Sequence, residues 1–214
     1  MAFLSLKKFV PAHCKVVCGI DEVGRGPWAG PLVACALVLK KNIAIKGLKD
    51  SKQLMPERRE EIFKILQRSA HYGLGIVEVE EIDAFGLIKA TNLAFIRALE
   101  NLPTRPDFLL VDGRDKLNLP HPFITIIKGD EKLKPIACAS IIAKVTRDRM
   151  MLDLHKKYPQ YAFDEHKGYG TRKHQHALRN HGICPLHRKS FKPVQAIISP
   201  AIQPEPATLF DAPG

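Results

Sequence analysis

Acidic residues stand where short apolar runs stop. Val16-Val17-Cys18-Gly19-Ile20 leads into Asp21-Glu22, Phe108-Leu109-Leu110-Val111 into Asp112, and Phe123-Ile124-Thr125-Ile126-Ile127, through Lys128-Gly129, into Asp130. Carboxylates delivered to one edge of a sheet can converge on one cleft, where they repel strongly unless divalent cations neutralise them. An all-oxygen donor set suits Mg²⁺ or Mn²⁺. Two such cations about 4 Å apart can activate a water on one side of a phosphodiester and stabilise the departing oxygen on the other, with no Ser or Cys nucleophile. Taken singly, each acid is equally a helix cap or a turn residue. That bland explanation weakens for Asp21-Glu22, because Val23-Gly24-Arg25-Gly26 follows, and glycines flanking an Arg let the backbone approach a ligand closely.

The elements that must position these acids follow from apolar periodicity. Residues 16–20 and Leu32–Leu39 are short, β-branched runs and read as buried strands. The intervening GIDEVGRGPWAGP is too rich in Gly and Pro for a helix and connects neighbouring strands. Apolar Ile62, Phe63 and Leu66 among charges predict a helix over Pro56–Ser69, with Pro56 in its first turn. Weak alternation over 72–79 predicts a third strand, and 88–99 a second helix that ends before Pro103. Phe108–Asp112 and 123–127 supply two further buried strands, and 135–155 a long helix with Cys138, Ile141, Ile142, Val145 and Leu152 on one face. A short helix is expected over 171–181. Three strands followed by alternating helix and strand point to a mixed sheet covered by helices, not to a uniform parallel barrel.

Composition restricts the partner. Lys and Arg number 33 against 22 Asp and Glu, for a formal charge of +11; such an excess either solubilises the chain or attracts a polyanion, of which nucleic acid is the commonest. The five cysteines, Cys14, Cys18, Cys35, Cys138 and Cys184, are odd in number, and three sit in apolar runs, which suggests reduced, buried thiols. Cys14 and Cys18 have metal-like spacing but no second Cys or His pair at zinc-site distance. With no signal-peptide core and no run of 18 apolar residues, a cytoplasmic protein without a membrane span is expected. His166, His174, His176, His181 and His187 cluster in the basic C-terminal third and read as substrate surface or packing. The basic residues of Lys144-Val145-Thr146-Arg147-Asp148-Arg149 face either a polyanion or water.

The segments GIDEVGRGPWAGPLV, LKDSKQL, VDG, KGD, ASIIAKVTRDR and FDEHKGYGT, in this order and spacing, together resemble ribonuclease HII over about residues 15–195. The resemblance implies an α/β, ribonuclease H-like fold: a five-stranded mixed sheet flanked by helices with a helical C-terminal portion, in one domain over residues 1–198 before a flexible tail, 199–214. The strand count from periodicity is also five. It further implies that Asp21, Glu22, Asp112 and Asp130 are metal-binding catalytic acids served by Mn²⁺ or Mg²⁺. The Gly24-Arg25-Gly26 loop would test for the 2′-hydroxyl that distinguishes RNA from DNA. Tyr169 would pack on the sugar beside a ribonucleotide, and Ser51 and Lys52 would contact phosphate. From the residues alone, Tyr169 is either a core aromatic or, given its flanking glycines, a ring on an exposed loop, and Ser51-Lys52 is equally a solvated turn. The implied activity is hydrolysis of the RNA strand of RNA–DNA hybrids and incision at ribonucleotides in duplex DNA, by attack of water that leaves 3′-hydroxyl and 5′-phosphate ends.

Ribonuclease HIII is a second enzyme family with a similar core, usually with an extra N-terminal substrate-binding domain and a Lys in place of the loop Arg; Arg25 and only about 14 residues before the first strand favour type 2. A non-catalytic hybrid-binding module is the other alternative, and the intact acids argue against it. A monomer is expected. In the proline-rich tail, Thr208-Leu209-Phe210-Asp211 suggests a short hydrophobic peptide for a replication clamp, or simply a tail.

Overall fold

The computed structural model describes residues 3–40, 43, 45, 47–48 and 54–199. Its centre is β1 (Val17–Val23), which pairs antiparallel with β2 (Leu32–Leu39) on one side and parallel with β4 (Phe108–Asp112) on the other. β3 (Ala70–Val77) adds antiparallel to β2, and β5 (Phe123–Ile126) parallel to β4, so the five strands run in the order β3-β2-β1-β4-β5. This is the five-stranded mixed sheet expected. β1 and β4 are buried on both faces, which accounts for their nearly continuous apolar runs.

Helix α1 (Pro56–Ser69) and the long α5 (Lys134–Lys157) cover one face; α3 (Leu87–Glu100) covers the other. Small residues on the strands allow both layers to seat closely. A Cβ on Gly19 of β1 would lie 2.2 Å from the Pro135 carbonyl carbon of α5, and one on Gly75 of β3 would lie 1.9 Å from the Ala94 carbonyl oxygen of α3. Neither helix could approach its strand so closely over a larger side chain.

Several expectations shift. The first strand does not stop at Ile20 but pairs with β2 as far as Val23, so Asp21 and Glu22 lie inside it. The third strand stops at Val77, two residues short of the predicted end, because Glu78 instead caps α2 (Val79–Phe85) in a capping box with Glu81. Asp130 lies not at a strand end but inside a one-turn helix, α4 (Gly129–Lys132), entered through Lys128 in the left-handed conformation, φ 55°. In α5, Cys138, Ile141, Ile142 and Val145 are buried as expected, but Leu152 is 42% exposed. The 24 residues of α5 span about 36 Å, whereas the 8 of β2 reach only about 27 Å, so the helix overruns the sheet.

Past that overrun, α6 (Phe163–His166), α7 (Arg172–His181) and α8 (Lys192–Ile198) form the helical C-terminal portion. Tyr161, Phe163, Leu178 and Cys184 pack there with Met151 of α5 and with Ala29 and Trp28 from the β1–β2 connection. All five cysteines are free; Cys14 is half-buried and the others buried, and burial pushes the Cys18 and Cys138 thiols up to about 12. Among the described residues no helix is long and apolar enough to cross a membrane.

Replacing Gly19 with Ala must lift the start of α5 off β1. A loss of about 1–3 kcal/mol in unfolding free energy is expected from such overpacking, measured by urea denaturation; an unchanged midpoint would show that this contact does not set the spacing.

Candidate active site

Strand register brings the acids together. Ile20 of β1 lies opposite Val111 of β4 in the parallel pair, so the next residue of each, Asp21 and Asp112, leaves at the same end of the sheet. Side chains alternate along a strand. Gly19 faces α5, and so, two residues on, does Asp21, to whose carboxylate the Ser140 hydroxyl of α5 donates. Leu110 packs with Leu133 and Ile136 on that side, which puts Asp112 there too. Asp130 arrives from α4, whose Gly129 N–H donates to Asp112 Oδ1 at 2.6 Å. One carboxylate oxygen from each of Asp21, Asp112 and Asp130 lies within 4.8 Å of the others.

Asp21 and Asp130 are only 4% exposed. Burial, and then the charges of Glu22, Asp112 and Asp130, push the Asp21 carboxyl well above the usual carboxylate range, while Ser140 pulls the other way. Asp21 Oδ1 also accepts from the Glu22 N–H at 2.8 Å, and Asp130 Oδ1 from the Glu131 N–H at 3.0 Å. A mostly buried cluster of hard oxygens carrying excess negative charge has the donor chemistry of a Mg²⁺ or Mn²⁺ site.

Glu22 stands apart from this trio. Strand alternation turns it to the opposite face, where it lies 3.5 Å from Arg25 Nη1; Arg25 also pairs with Asp115. Burial raises the Glu22 carboxyl to about 7, Arg25 opposes that shift, and the Asp112 charge adds to it. The acid therefore borders the cluster closely enough to feel it without sharing its oxygens.

The glycine loop is held by two arginines that sequence reading did not assign. Arg147 and Arg188 are fully buried and donate to carbonyl oxygens. Arg147 Nε, Nη2 and Nη1 reach Pro31, Ala29 and Lys167 at 2.9, 3.1 and 2.9 Å. Arg188 Nε and Nη2 reach Gly30 at 3.1 and 2.7 Å, and Nη1 reaches Arg25 at 3.2 Å. Gly24, at φ +100°, is required twice over: few side chains tolerate that backbone, and a Cβ would sit 2.5 Å from Arg147 Nε. Burial lowers Arg147 to about 10 and Arg188 to about 9, so both stay charged at neutral pH.

The cations of 144–149 therefore part: Arg147 turns inward, whereas Arg149 is exposed to solvent. Arg147 is internal, Lys144 pairs with Asp148 at 2.7 Å, and Arg149 pairs with Glu60. A signal did exist: Ile136, Ser140, Ala143 and Arg147 recur at helical spacing along a buried stripe. Arg188 and Asp115 had no comparable signal, since each lies in a loop and acts over long sequence distance.

Tyr169 is brought to the loop as expected. Its ring is 42% exposed, and a Cβ on Gly26 would lie 3.6 Å from Tyr169 Cε1. The Trp28 N–H donates to the Gly168 carbonyl at 2.8 Å, so the 24–31 and 166–171 loops are joined through their backbones. Of the histidines, His166, His174 and His187 are buried, which for them favours packing, whereas His176 and His181 are exposed. Ser51 and Lys52 lie outside the described residues.

Comparison with known proteins identifies the family. The model of the family described as Ribonuclease HII matches residues 18–194. Ribonuclease HII of Thermotoga maritima is 48% identical over 184 residues, which are 86% of this chain and 76% of that protein. The crystal structure of ribonuclease H2 from Pyrococcus horikoshii superposes with a TM-score of 0.72 at 31% identity, covering 86% of this chain and 97% of that one. The ribonuclease HII of Archaeoglobus fulgidus, solved as a complex with PCNA, matches with a TM-score of 0.69 at 26% identity, over 83% of this chain and 96% of that one. Agreement that begins in β1 and continues into α8, across both the sheet and the C-terminal helices, leaves one assignment: this chain belongs to the ribonuclease HII family.

Proposed function

We propose that this ribonuclease H, besides cutting the RNA strand of RNA–DNA hybrids, incises at single ribonucleotides embedded in duplex DNA, with Asp21, Glu22, Asp112 and Asp130 as its catalytic acids. The observation that carries this reading is the convergence of Asp21, Asp112 and Asp130 within 4.8 Å, beside a loop where Gly26 meets the exposed Tyr169 ring.

Asp21, Asp112 and Asp130 would hold the divalent cation, Mn²⁺ or Mg²⁺, with Glu22 at its border. When bound, such a cation offsets the clustered charge and polarises the phosphodiester that water attacks. The Ser140 hydroxyl and the Gly129 N–H orient the Asp21 and Asp112 carboxylates for that role. Arg25 opposes the raised proton affinity of Glu22, so it favours the ionised form that the site uses. Water attacks phosphorus, the 3′-oxygen leaves, and the products carry 3′-hydroxyl and 5′-phosphate ends.

Recognition falls to the loop pair. The Gly24-Arg25-Gly26 loop, kept in shape by Arg147 and Arg188, offers the exposed backbone of Gly26 to a ribose 2′-hydroxyl. The planar guanidinium of Arg25 suits a phosphate, for which it exchanges Asp115. Tyr169 supports the adjoining sugar, and the exposed Arg172 and Arg179 of α7 extend the positive surface beyond it. Ser51 and Lys52 join as phosphate contacts in this reading. It describes a cytoplasmic monomer that serves ribonucleotide excision repair and DNA replication. The Archaeoglobus relative was solved with PCNA, which supports a clamp contact here through Thr208–Asp211, outside the described residues.

Asp112→Asn is expected to lower Mn²⁺- or Mg²⁺-dependent cleavage of a labelled hybrid by more than about 100-fold, with binding retained in a gel shift; unchanged cleavage would refute the assignment. Arg25→Ala combined with Tyr169→Ala should depress incision at a lone ribonucleotide more than it lowers Tm, and parallel losses would reduce both residues to packing.

The raised Glu22 carboxyl has a consequence for stability. Its folded pKa is about 7 against an ordinary 4.5, so the fold binds this proton more readily than the unfolded chain does and loses stability as pH rises across that interval. Without divalent cation, the Tm advantage of Glu22→Gln over the parent should grow between pH 4.5 and pH above 7. A pH-independent difference would show that Glu22 is not destabilised by its charge. For the tail, deletion beyond Pro204 should abolish binding to a replication clamp in a pull-down while hybrid cleavage persists.

A further inference from the structure

The loop that carries Tyr169 is anchored on buried imidazoles for which the cleavage chemistry has no use. His174 Nδ1 lies 3.0 Å from the Tyr169 carbonyl oxygen, which can only accept, so Nδ1 carries the His174 proton. His174 Nε2 is then an acceptor. It faces His187 Nε2 at 3.0 Å, and two nitrogens at that distance need one hydrogen between them, so His187 donates. That leaves His187 Nδ1 to accept from the Cys184 N–H at 3.0 Å. The Cys184 thiol at 3.2 Å can also donate to Nδ1 in this tautomer, whereas the Cys184 carbonyl, 3.2 Å from the same nitrogen, would suit the opposite tautomer of His187. That tautomer would reverse the His187–His174 bond and set a His174 lone pair against the Tyr169 carbonyl. Hydrogen bonds therefore run in one direction, from the Cys184 N–H through both rings to Tyr169.

The surroundings reinforce this order. His174 and His187 are 0% exposed, and burial lowers both to about 4, which keeps each ring neutral with a single N–H. His166 stacks on His174 with centroids 4.5 Å apart, accepts from the Gly168 N–H at 3.2 Å and meets the Tyr161 carbonyl at 2.8 Å. Trp28, from the glycine-loop side, packs on His174 at 5.8 Å between ring centroids. The relay thus sits under both halves of the surface where Tyr169 meets Gly26.

We propose that His187 and His174 are positioning residues: their one-way hydrogen-bond relay fixes the Tyr169 backbone, holds the ring against Gly26, and so sets the preference for a lone ribonucleotide in DNA over a uniform hybrid. This rests on Tyr169 being the substrate-facing residue described above. Removing the His187 donor strands the buried Nε2 lone pair of His174; the ring reaches another donor only by turning, which loosens its Nδ1–H bond to the Tyr169 oxygen and displaces the loop.

The test uses the full chain with Mn²⁺ and two substrates, duplex DNA containing one ribonucleotide and a uniform RNA–DNA hybrid. His187→Leu should lower the ratio of kcat/KM values, single ribonucleotide over hybrid, by about tenfold, mainly through KM, and should add nothing to Tyr169→Ala in the double variant. His187→Gln, whose amide can donate from the position of Nε2, should recover most of the ratio. Imidazole ¹⁵N spectra of the parent should show His174 protonated at Nδ1 and His187 at Nε2. The opposite tautomers would overturn the relay whatever the variants do, including the case in which His187→Leu fails to fold. A folded His187→Leu with an unchanged ratio, alongside a Tyr169→Ala that lowers it, would overturn the relay and spare the role of Tyr169. An unchanged ratio in Tyr169→Ala would overturn the substrate reading itself and the specificity claim with it.

Discussion

Three carboxylates within 4.8 Å of one another, two of them almost wholly buried, form an arrangement that the isolated side chains would avoid. The rest of the architecture enforces it. β1 and β4 must be parallel neighbours in a register that sets Asp21 and Asp112 at one level, and α5 must press on β1 where Gly19 leaves room. The Gly129 N–H then ties α4 to Asp112 and carries Asp130 inward. The repulsion is offset by apolar burial elsewhere in the sheet, and the site becomes a place where positive charge is strongly favoured.

The glycine loop is held by a different principle. Among the described residues the hydrogens of Arg147 and Arg188 go to backbone carbonyls, in six bonds across Arg25, Ala29, Gly30, Pro31 and Lys167. A buried guanidinium satisfied in this way acts as a multi-pronged brace for a loop that has no regular structure of its own. It also keeps positive charge beneath the loop, with both guanidiniums fully buried. The loop and the acidic cluster meet at Arg25, whose side chain contacts Glu22 and Asp115 while its carbonyl is gripped by Arg188.

Glu22 and Asp21 illustrate how adjacent residues acquire distinct environments. One strand position separates them, and the pleat sends one toward Ser140 under α5 and the other toward Arg25. Both are raised by burial, but only Glu22 has a cation beside it to limit the shift. Three acids therefore stand in direct proximity, and Glu22 beside them is governed by its arginine.

Local pattern was enough to read the strands, α1, α3, α5 and α7, because each has an apolar period that its burial requires. The acids were legible because they interrupt those runs, and Gly24 and Gly26 because they flank an Arg. The resemblance to ribonuclease HII supplied Tyr169. What the sequence by itself determined was thus the list of chemical groups and the elements that bear them. Tertiary structure alone decided which acids share a face, that Asp130 enters from α4, that Arg147 and Arg188 point inward, and that His187, His174 and Tyr169 form a line. Those facts depend on strand alternation combined with register, and on hydrogen bonds between loops far apart in the chain. No local periodicity encodes either.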